Sequence, residues 1–287
     1  EDLIVEEDMV VTVTHSGYIK RNAVSLYRSQ RRGGKGRSGM KPKEEDFVEH
    51  LFVASTHSYI LIFTDKGKVY WLKVHEVPQG GHAARGKAIV NLLQLEQDER
   101  IMTILPVKEF SENKYIIACT RNGIVKKTEL MAYSHPRQGG IIGMTIDEGD
   151  ALVATRITNG DMDILMGSEH GKSIRFAETD VRPMGRTARG VRGMQLVDGD
   201  RIIGMEVVTD ATSATLVTVT EKGYGKRTGI DEYKTQSRGG KGIITIKTST
   251  RNGCVVDIKL VSPEEDLMFI TDKGKILRTN VGALSII

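Results

Sequence analysis

The chain has 287 residues, 39% of them hydrophobic, with 41 basic residues against 37 acidic ones. That length can bury a sizeable core as one large β domain or two smaller ones, and the near-balance of charge means that a polyanionic partner must be argued from where the cations lie. No apolar run has the length of a membrane span or the layout of a signal peptide, and Cys119 and Cys254 are too far apart for a C-x-x-C pair, which argues against a disulfide framework or structural zinc site and fits a reducing cytoplasm.

The chain opens on Glu1 and Asp2 rather than Met, which reads as a fragment of a longer polypeptide. An apolar, β-branched run from Met9 to Thr14 meets a turn at His15-Ser16-Gly17 and resumes as Tyr18-Ile19-Lys20-Arg21. Strand, tight turn, strand is the expectation. Beyond it lies Gln30-Arg31-Arg32-Gly33-Gly34-Lys35-Gly36, flanked by Arg28 and Arg37, and no acidic residue stands between Lys20 and Lys43. Such a stretch carries a concentrated positive field that suits a polyanion. Its glycines let the backbone bend through positive φ and approach phosphates closely.

The hairpin phrase then returns around Gly67, Gly123, Gly171, Gly223 and Gly274, at spacings of 50, 56, 48, 52 and 51 residues. Six copies at a nearly constant period indicate a repeat architecture. Further β-rich runs, such as Tyr59 to Thr64, Leu152 to Ile157 and Ile202 to Val208, precede or follow the phrase. Turn chemistry at Asn159-Gly160, Thr209-Asp210 and Ser262-Pro263 separates such runs. About four short strands per repeat is the signature of a propeller blade. Val90 to Ile104 is the best candidate for a helical exception.

Most hairpins are followed by a glycine and arginine segment. The fifth, Gln236-Ser237-Arg238-Gly239-Gly240-Lys241-Gly242, differs from the first at one position. Weaker relatives are Gly80-Gly81 with Arg85-Gly86-Lys87, Arg137-Gln138-Gly139-Gly140, and Arg186 with Arg189-Gly190-Val191-Arg192.

A complete Gln-Arg-Arg-Gly-Gly-Lys-Gly in the first of six degenerate repeats resembles the C-terminal domain of bacterial DNA gyrase A, part of a type IIA DNA topoisomerase, over the whole chain. The resemblance implies an all-β fold: a six-bladed β-pinwheel spanning 1–287 as a single domain, a propeller-like ring of four-stranded blades that exchange strands, with the box near the junction of first and last blades. It implies that duplex DNA wraps around the outer rim so that the enzyme introduces negative supercoils. It implies as partners the remainder of gyrase A together with gyrase B in an A2B2 complex in the bacterial cytoplasm, associated with the nucleoid. ATP and Mg2+ would belong to the rest of that complex and the catalytic tyrosine to another part of gyrase A. No cofactor, metal or catalytic residue is expected in this chain.

Wrapping demands repeated phosphate contacts, because bending roughly 40 bp through about a half circle costs on the order of 10 kcal/mol. Four residues after each anchoring glycine stand Arg21, Trp71, Lys127, Arg175, Arg227 and Arg278, and Lys20, Lys126 and Lys226 precede three of them. If equivalent positions face the same way, these cations form one circumferential stripe. Arg137, Arg186, Arg189, Arg192, Arg238 and Lys241 would add to it from the loops. Within the box, Arg31, Arg32 and Lys35 are expected on phosphates, the glycines permitting close approach and Gln30 fixing the loop.

No recognition helix offers base-reading side chains, so binding should be sequence-independent and strongly salt-dependent. Gly34 to Gly39 matches G-x-G-x-x-G, but Met40-Lys41-Pro42 follows where a dinucleotide fold needs a helix. The seven histidines show no paired ligand spacing. Two further readings remain open: a propeller scaffold for acidic protein partners, and the equivalent domain of topoisomerase IV, which an open or five-bladed ring would favour.

Overall fold

In the computed structural model the described residues are 3–24, 46–81, 83–209, 213–270 and 276–287. The first repeat holds strands β1 (Asp8–Thr14), β2 (Tyr18–Ala23) and β3 (Val48–Ser55). The second holds β4 (Tyr59–Thr64), β5 (Lys68–Lys73), β6 (Lys87–Ala88) and β7 (Ile101–Val107); the third, β8 (Tyr115–Thr120), β9 (Ile124–Glu129), β10 (Ile141–Ile142) and β11 (Leu152–Thr158). The fourth follows with β12 (Asp163–Ser168), β13 (Lys172–Ala177), β14 (Val191–Arg192) and β15 (Ile202–Val208). In the fifth are β16 (Thr215–Thr220), β17 (Gly225–Gly229), β18 (Thr235–Gln236), β19 (Ile243–Ile244) and β20 (Val255–Val261), and in the sixth β21 (Asp266–Ile270) and β22 (Ile276–Asn280).

Every repeat builds a hairpin, and the second to fifth also give a short strand to the sheet before and return a long strand to their own hairpin. The sheets therefore run β3-β1-β2-β6, β7-β4-β5-β10, β11-β8-β9-β14 and β15-β12-β13-β18, with β19 also on β13. The fifth sheet is β20-β16-β17 and the sixth is the hairpin β21-β22. Strand exchange between neighbours is thus present. The expectation of six four-stranded blades is corrected to five blades and a two-stranded sixth sheet. Among the described residues, sheet five receives from the sixth repeat only the parallel bridge between Arg227 and Ile286, and sheet six holds only β21 and β22.

The long strands converge, β3 packing on β7, β7 on β11, β11 on β15 and β15 on β20. They line a central cavity of about 270 Å³ that includes His50, Thr103, Arg156, Gly204 and Asp257. Arg156 Nη2 reaches Glu206 Oε1 at 2.9 Å, tying two neighbouring long strands. The core is divided into packets between adjacent blades: Met9, Val11, Ile60 and Ile62 in one, Leu61, Phe63, Ile116 and Ala118 in the next, then Ile117, Cys119, Ile164 and Met166. The first hairpin strands are consequently buried on both faces, as in the Ile60–Thr64 run. The helix expected over Val90 to Ile104 does not form. A 3-10 turn at Ile89–Asn91 leads through loops into β7, because Ile101 to Val107 is claimed by pairing with β4. No helix among the described residues is long and apolar enough to cross a membrane.

The anchoring glycines close the hairpins and receive the next repeat. Gly67, Gly123 and Gly171 have φ of 80°, 90° and 88°, a conformation that costs other residues energy. Their carbonyl oxygens also accept from the following repeat: Gly143 N donates to Gly67 O at 2.8 Å, Gly193 N to Gly123 O at 2.7 Å and Thr245 N to Gly171 O at 2.7 Å. A Cβ on Gly171 would lie 2.1 Å from the Ile246 carbonyl oxygen. Gly171→Ala should therefore cost about 2–4 kcal/mol in thermal or urea unfolding. Gly185→Ala, where a Cβ meets nothing within 4 Å, is the control and should stay within about 0.5 kcal/mol; equal stability of the two variants would contradict the docking role.

Candidate nucleic-acid interface

The box Gln30, Arg31, Arg32, Gly33, Gly34, Lys35 and Gly36, together with Arg28, Arg37 and the side chain of Arg278, lies outside the described residues. Among the described candidates, the cations four residues after each anchoring glycine do not form a solvent-facing stripe. Each points into the 3-10 turn of the next repeat. Arg21 Nε donates to Val77 O at 2.7 Å, just past the turn Val74–Glu76. Arg175 Nη1 donates to Ile230 O at 3.1 Å and Tyr233 O at 3.2 Å; Arg227 Nη1 donates to Val281 O at 3.1 Å and Leu284 O at 2.8 Å. Lys127 Nζ meets Glu178 Oε2 at 3.4 Å inside the protein.

Trp71, the residue that breaks the basic pattern, does the same work with an indole N–H, donating to Tyr133 O at 2.9 Å. A donor is therefore needed here, and positive charge is not. Backbone pairing explains the direction: Arg21 bridges Gln79, Lys127 bridges Pro183 and Arg227 bridges Ile286 in parallel, as Arg175 does with Thr235. That pairing lays the 3-10 turn of the next repeat over the side chain.

Of the lysines one position earlier, Lys20 and Lys126 are also interior and Lys226 is half-buried. Lys20 is 2% exposed and Lys126 0%. Lys20 Nζ donates to Gly81 O at 3.2 Å and Ala84 O at 3.0 Å, and Lys226 Nζ to Thr245 O at 3.2 Å. Burial pushes the Lys20 ammonium below the usual lysine range. For Lys126, burial and the Arg186 guanidinium push it down to about 7. The rim expected from Lys20, Arg21, Lys126, Lys127, Arg175, Lys226 and Arg227 is thus corrected: these side chains join blades and leave little for phosphate.

The described candidates that do face solvent sit instead on the relatives of the box. Each ends in a short strand that pairs with the outer hairpin strand of the preceding blade at one register. Tyr18 meets Ala88, Lys68 meets Ile142, Ile124 meets Arg192 and Lys172 meets Ile244. The segments 79–88, 134–142, 182–192 and 234–244 are therefore equivalent around the ring, and none contains an Asp or Glu. Arg137, Arg189, Arg192 and Lys241 are exposed on them. So are Lys87, of the relative Arg85-Gly86-Lys87, and Arg182 and Lys234, the last two of which reasoning from the sequence missed although the same acid-free pattern marks them. Arg189 also meets Asp147 at 3.0 Å across the surface.

Two loop arginines are partly engaged in structure. Arg186 Nη1 donates to Ile142 O at 2.9 Å, and Arg238 donates to Asp180 O and Arg192 O at 3.1 and 2.7 Å. The glycines of these loops admit protein backbone. A Cβ on Gly86 would lie 2.3 Å from Ile19 O, and one on Gly242 would lie 2.5 Å from Ser173 O.

An all-β ring of strand-exchanging blades, edged by equivalent basic loops, defines a propeller-type repeat domain. A family model described as "DNA gyrase C-terminal domain, beta-propeller" matches residues 8–55, 58–108, 114–159, 163–209, 214–262 and 265–287. The chain belongs to that family. DNA gyrase A of Salmonella typhimurium (strain LT2) is 46% identical over 287 residues, covering 100% of this chain and 32% of that protein; the chain thus spans about a third of the length of such a relative. The solved structure of a DNA gyrase A C-terminal domain has a TM-score of 0.83 at 28% identity, covering 98% of this chain and 92% of that one. A crystal structure of the C-terminal domain of DNA topoisomerase IV has a TM-score of 0.80 at 28% identity, covering 99% and 87%.

Interior and loop cations should separate cleanly in unfolding experiments. Glu178 also accepts from Thr158 Oγ1 at 2.5 Å and from Gly160 N at 3.1 Å, so Lys127→Ala strands a fully buried carboxylate and should cost about 3–5 kcal/mol. Arg192→Ala and Lys241→Ala should each stay within about 0.5 kcal/mol. Similar losses for all three would remove the distinction.

Proposed function

We propose that this chain is a non-catalytic domain that bends and wraps duplex DNA for a type II DNA topoisomerase of the gyrase kind, with the loop cations as its phosphate contacts. One observation carries the reading: four acid-free basic loops occupy the same register on successive blades, as a polyanion following the rim requires. The contacts are Arg137, Arg182, Arg189, Arg192, Lys234 and Lys241, with Lys87 beside them. The box loop, at the corresponding place in the first repeat, supplies Arg31, Arg32 and Lys35 where the path begins.

The working complex would contain the rest of gyrase A together with gyrase B, in the bacterial cytoplasm, with ATP and Mg2+ used outside this chain. A second reading, the equivalent domain of topoisomerase IV, is favoured by the two-stranded sixth sheet. The intact box favours the gyrase kind. Wrapping by the gyrase kind predicts a positive linking-number shift when nicked plasmid is religated with the chain bound, and no shift would favour the second reading.

Loop cations that touch phosphate release counterions. Replacing Arg137, Arg192 and Lys241 together with alanine should lower the slope of log K against log salt by roughly 0.9 for each phosphate no longer neutralised, about 2–3 in all, measured by titration of a ~150 bp duplex. An unchanged slope would reject the loop assignment. Neutralising Arg31, Arg32 and Lys35 should leave thermal unfolding unchanged and abolish the linking-number shift; if the shift survives, the box does not start the wrap.

A further inference from the structure

We propose that Lys126 is a positioning residue for the DNA rim: its ammonium, seated inside the fold, ties the basic loop of the fourth repeat to the blade of the third, so that the loop arginines are presented together. The inference rests on the DNA-rim reading above. Lys126 Nζ donates to Gly143 O at 2.7 Å, to Gly185 O at 3.4 Å and to Arg186 O. The first carbonyl belongs to the third repeat's own segment, docked on the second blade, and the other two to the 182–192 loop, so one ammonium joins the third repeat to the fourth at the seam with the second blade. Thr145 holds the next two carbonyls of that loop, its Oγ1 donating to Thr187 O at 2.6 Å and its N to Ala188 O at 3.3 Å. The turn carrying Arg182, Arg189 and Arg192 is therefore set from inside at four successive residues.

The fold does not need a lysine at this position. Ile174 occupies the equivalent place in the fourth repeat and is equally buried, at 1% exposed. There the following basic loop is held by its own Arg238. Lys20 acts as Lys126 does, on Gly81 O and Ala84 O of the second repeat's loop. The fourth repeat's loop uses an arginine on backbone as well, Arg186 on Ile142 O, so what Lys126 adds is an interior tie that the fifth repeat's loop lacks. The desolvation cost of that ammonium, which an isoleucine would avoid, is offset by the carbonyls it meets.

The charged and titratable groups facing Lys126 are Arg186 on the loop and Tyr133, whose hydroxyl donates to Gly143 O at 3.1 Å. Tyr133 is raised to about 12 by burial, leaving Lys126, at about 7, to titrate near neutrality. An ammonium has three N–H groups for three carbonyls and a neutral amine two, so the loop loosens as pH rises past 7. Stability moves the other way: the unfolded lysine keeps its proton to about 10.4, the unfolded state binds more protons between those values, and stability rises with pH across that window.

The test uses the 287-residue chain and a ~150 bp duplex, with Kd and thermal unfolding measured from pH 7 to 9, where arginine does not titrate. The wild-type chain should lose affinity several-fold over that range while gaining stability. Lys126→Ile should keep its β-sheet circular dichroism, bind about three- to tenfold more weakly at pH 7, as when one or two phosphates go unmet, and show no pH dependence. Lys126→Arg, permanently charged, should bind at pH 9 as it does at pH 7. Lys126→Ile binding within twofold of wild type overturns the proposal, as does wild-type affinity that stays level across the pH range in which stability rises, and that comparison decides it should the isoleucine variant not fold. Failure of the wild-type chain to bind DNA at pH 7 would instead sink the DNA-rim reading, and this inference with it.

Discussion

The structure depends on a donor that each blade sends into the 3-10 turn of the next. Arg21, Trp71, Lys127, Arg175 and Arg227 occupy one place in five repeats and meet the turn that follows. A 3-10 turn ends in carbonyls that its own short span cannot satisfy, and the blade-to-blade packing leaves little water to do so. A long side chain with N–H groups at its tip solves the problem from the neighbouring sheet. Guanidinium and indole both serve because the requirement there is a donor at the right reach, while Lys127 meets the Glu178 carboxylate of its turn instead.

This constraint separates two groups of cations that composition cannot distinguish. Lys20, Arg21, Lys126, Lys127, Arg175 and Arg227, on the outer hairpin strands, are covered by the incoming repeat at the seam and are bound to carbonyls or to Glu178. Arg137, Arg182, Arg189, Arg192, Lys234 and Lys241, on the glycine-rich connections, keep their charge at the surface. The same seam sets the role of the glycines, since Gly86, Gly190 and Gly242 lie within a Cβ's reach of Ile19, Val125 and Ser173 backbone oxygens. A loop close enough to extend its neighbour's sheet leaves no room for a side chain at that point. The basic surface of the rim is in this sense a by-product of how the blades are sewn together.

Buried lysines follow the same rule. An ammonium inside a fold is costly unless its protons find acceptors, and Lys20 and Lys126 find backbone oxygens on the loops that carry exposed cations. Charge held inside thus shapes where charge is displayed outside. The central cavity shows the contrasting solution, in which Arg156 and Glu206 neutralise each other across adjacent strands.

The period, the hairpins with their positive-φ glycines and the acid-free basic segments are legible in the order of the amino acids, because each of these is written in residues close together along the chain. That order does not reveal that Lys126 and Lys127, neighbours on one strand, are both buried. Alternation assigns one face of a strand to solvent only when a sheet has a free face, and here adjacent blades cover both. Nor does it separate Arg175, facing a turn some 55 residues away in the chain, from Arg192 at the surface. Which cations face outward is decided by the repeat that docks over them, a contact that exists only once the blades have assembled.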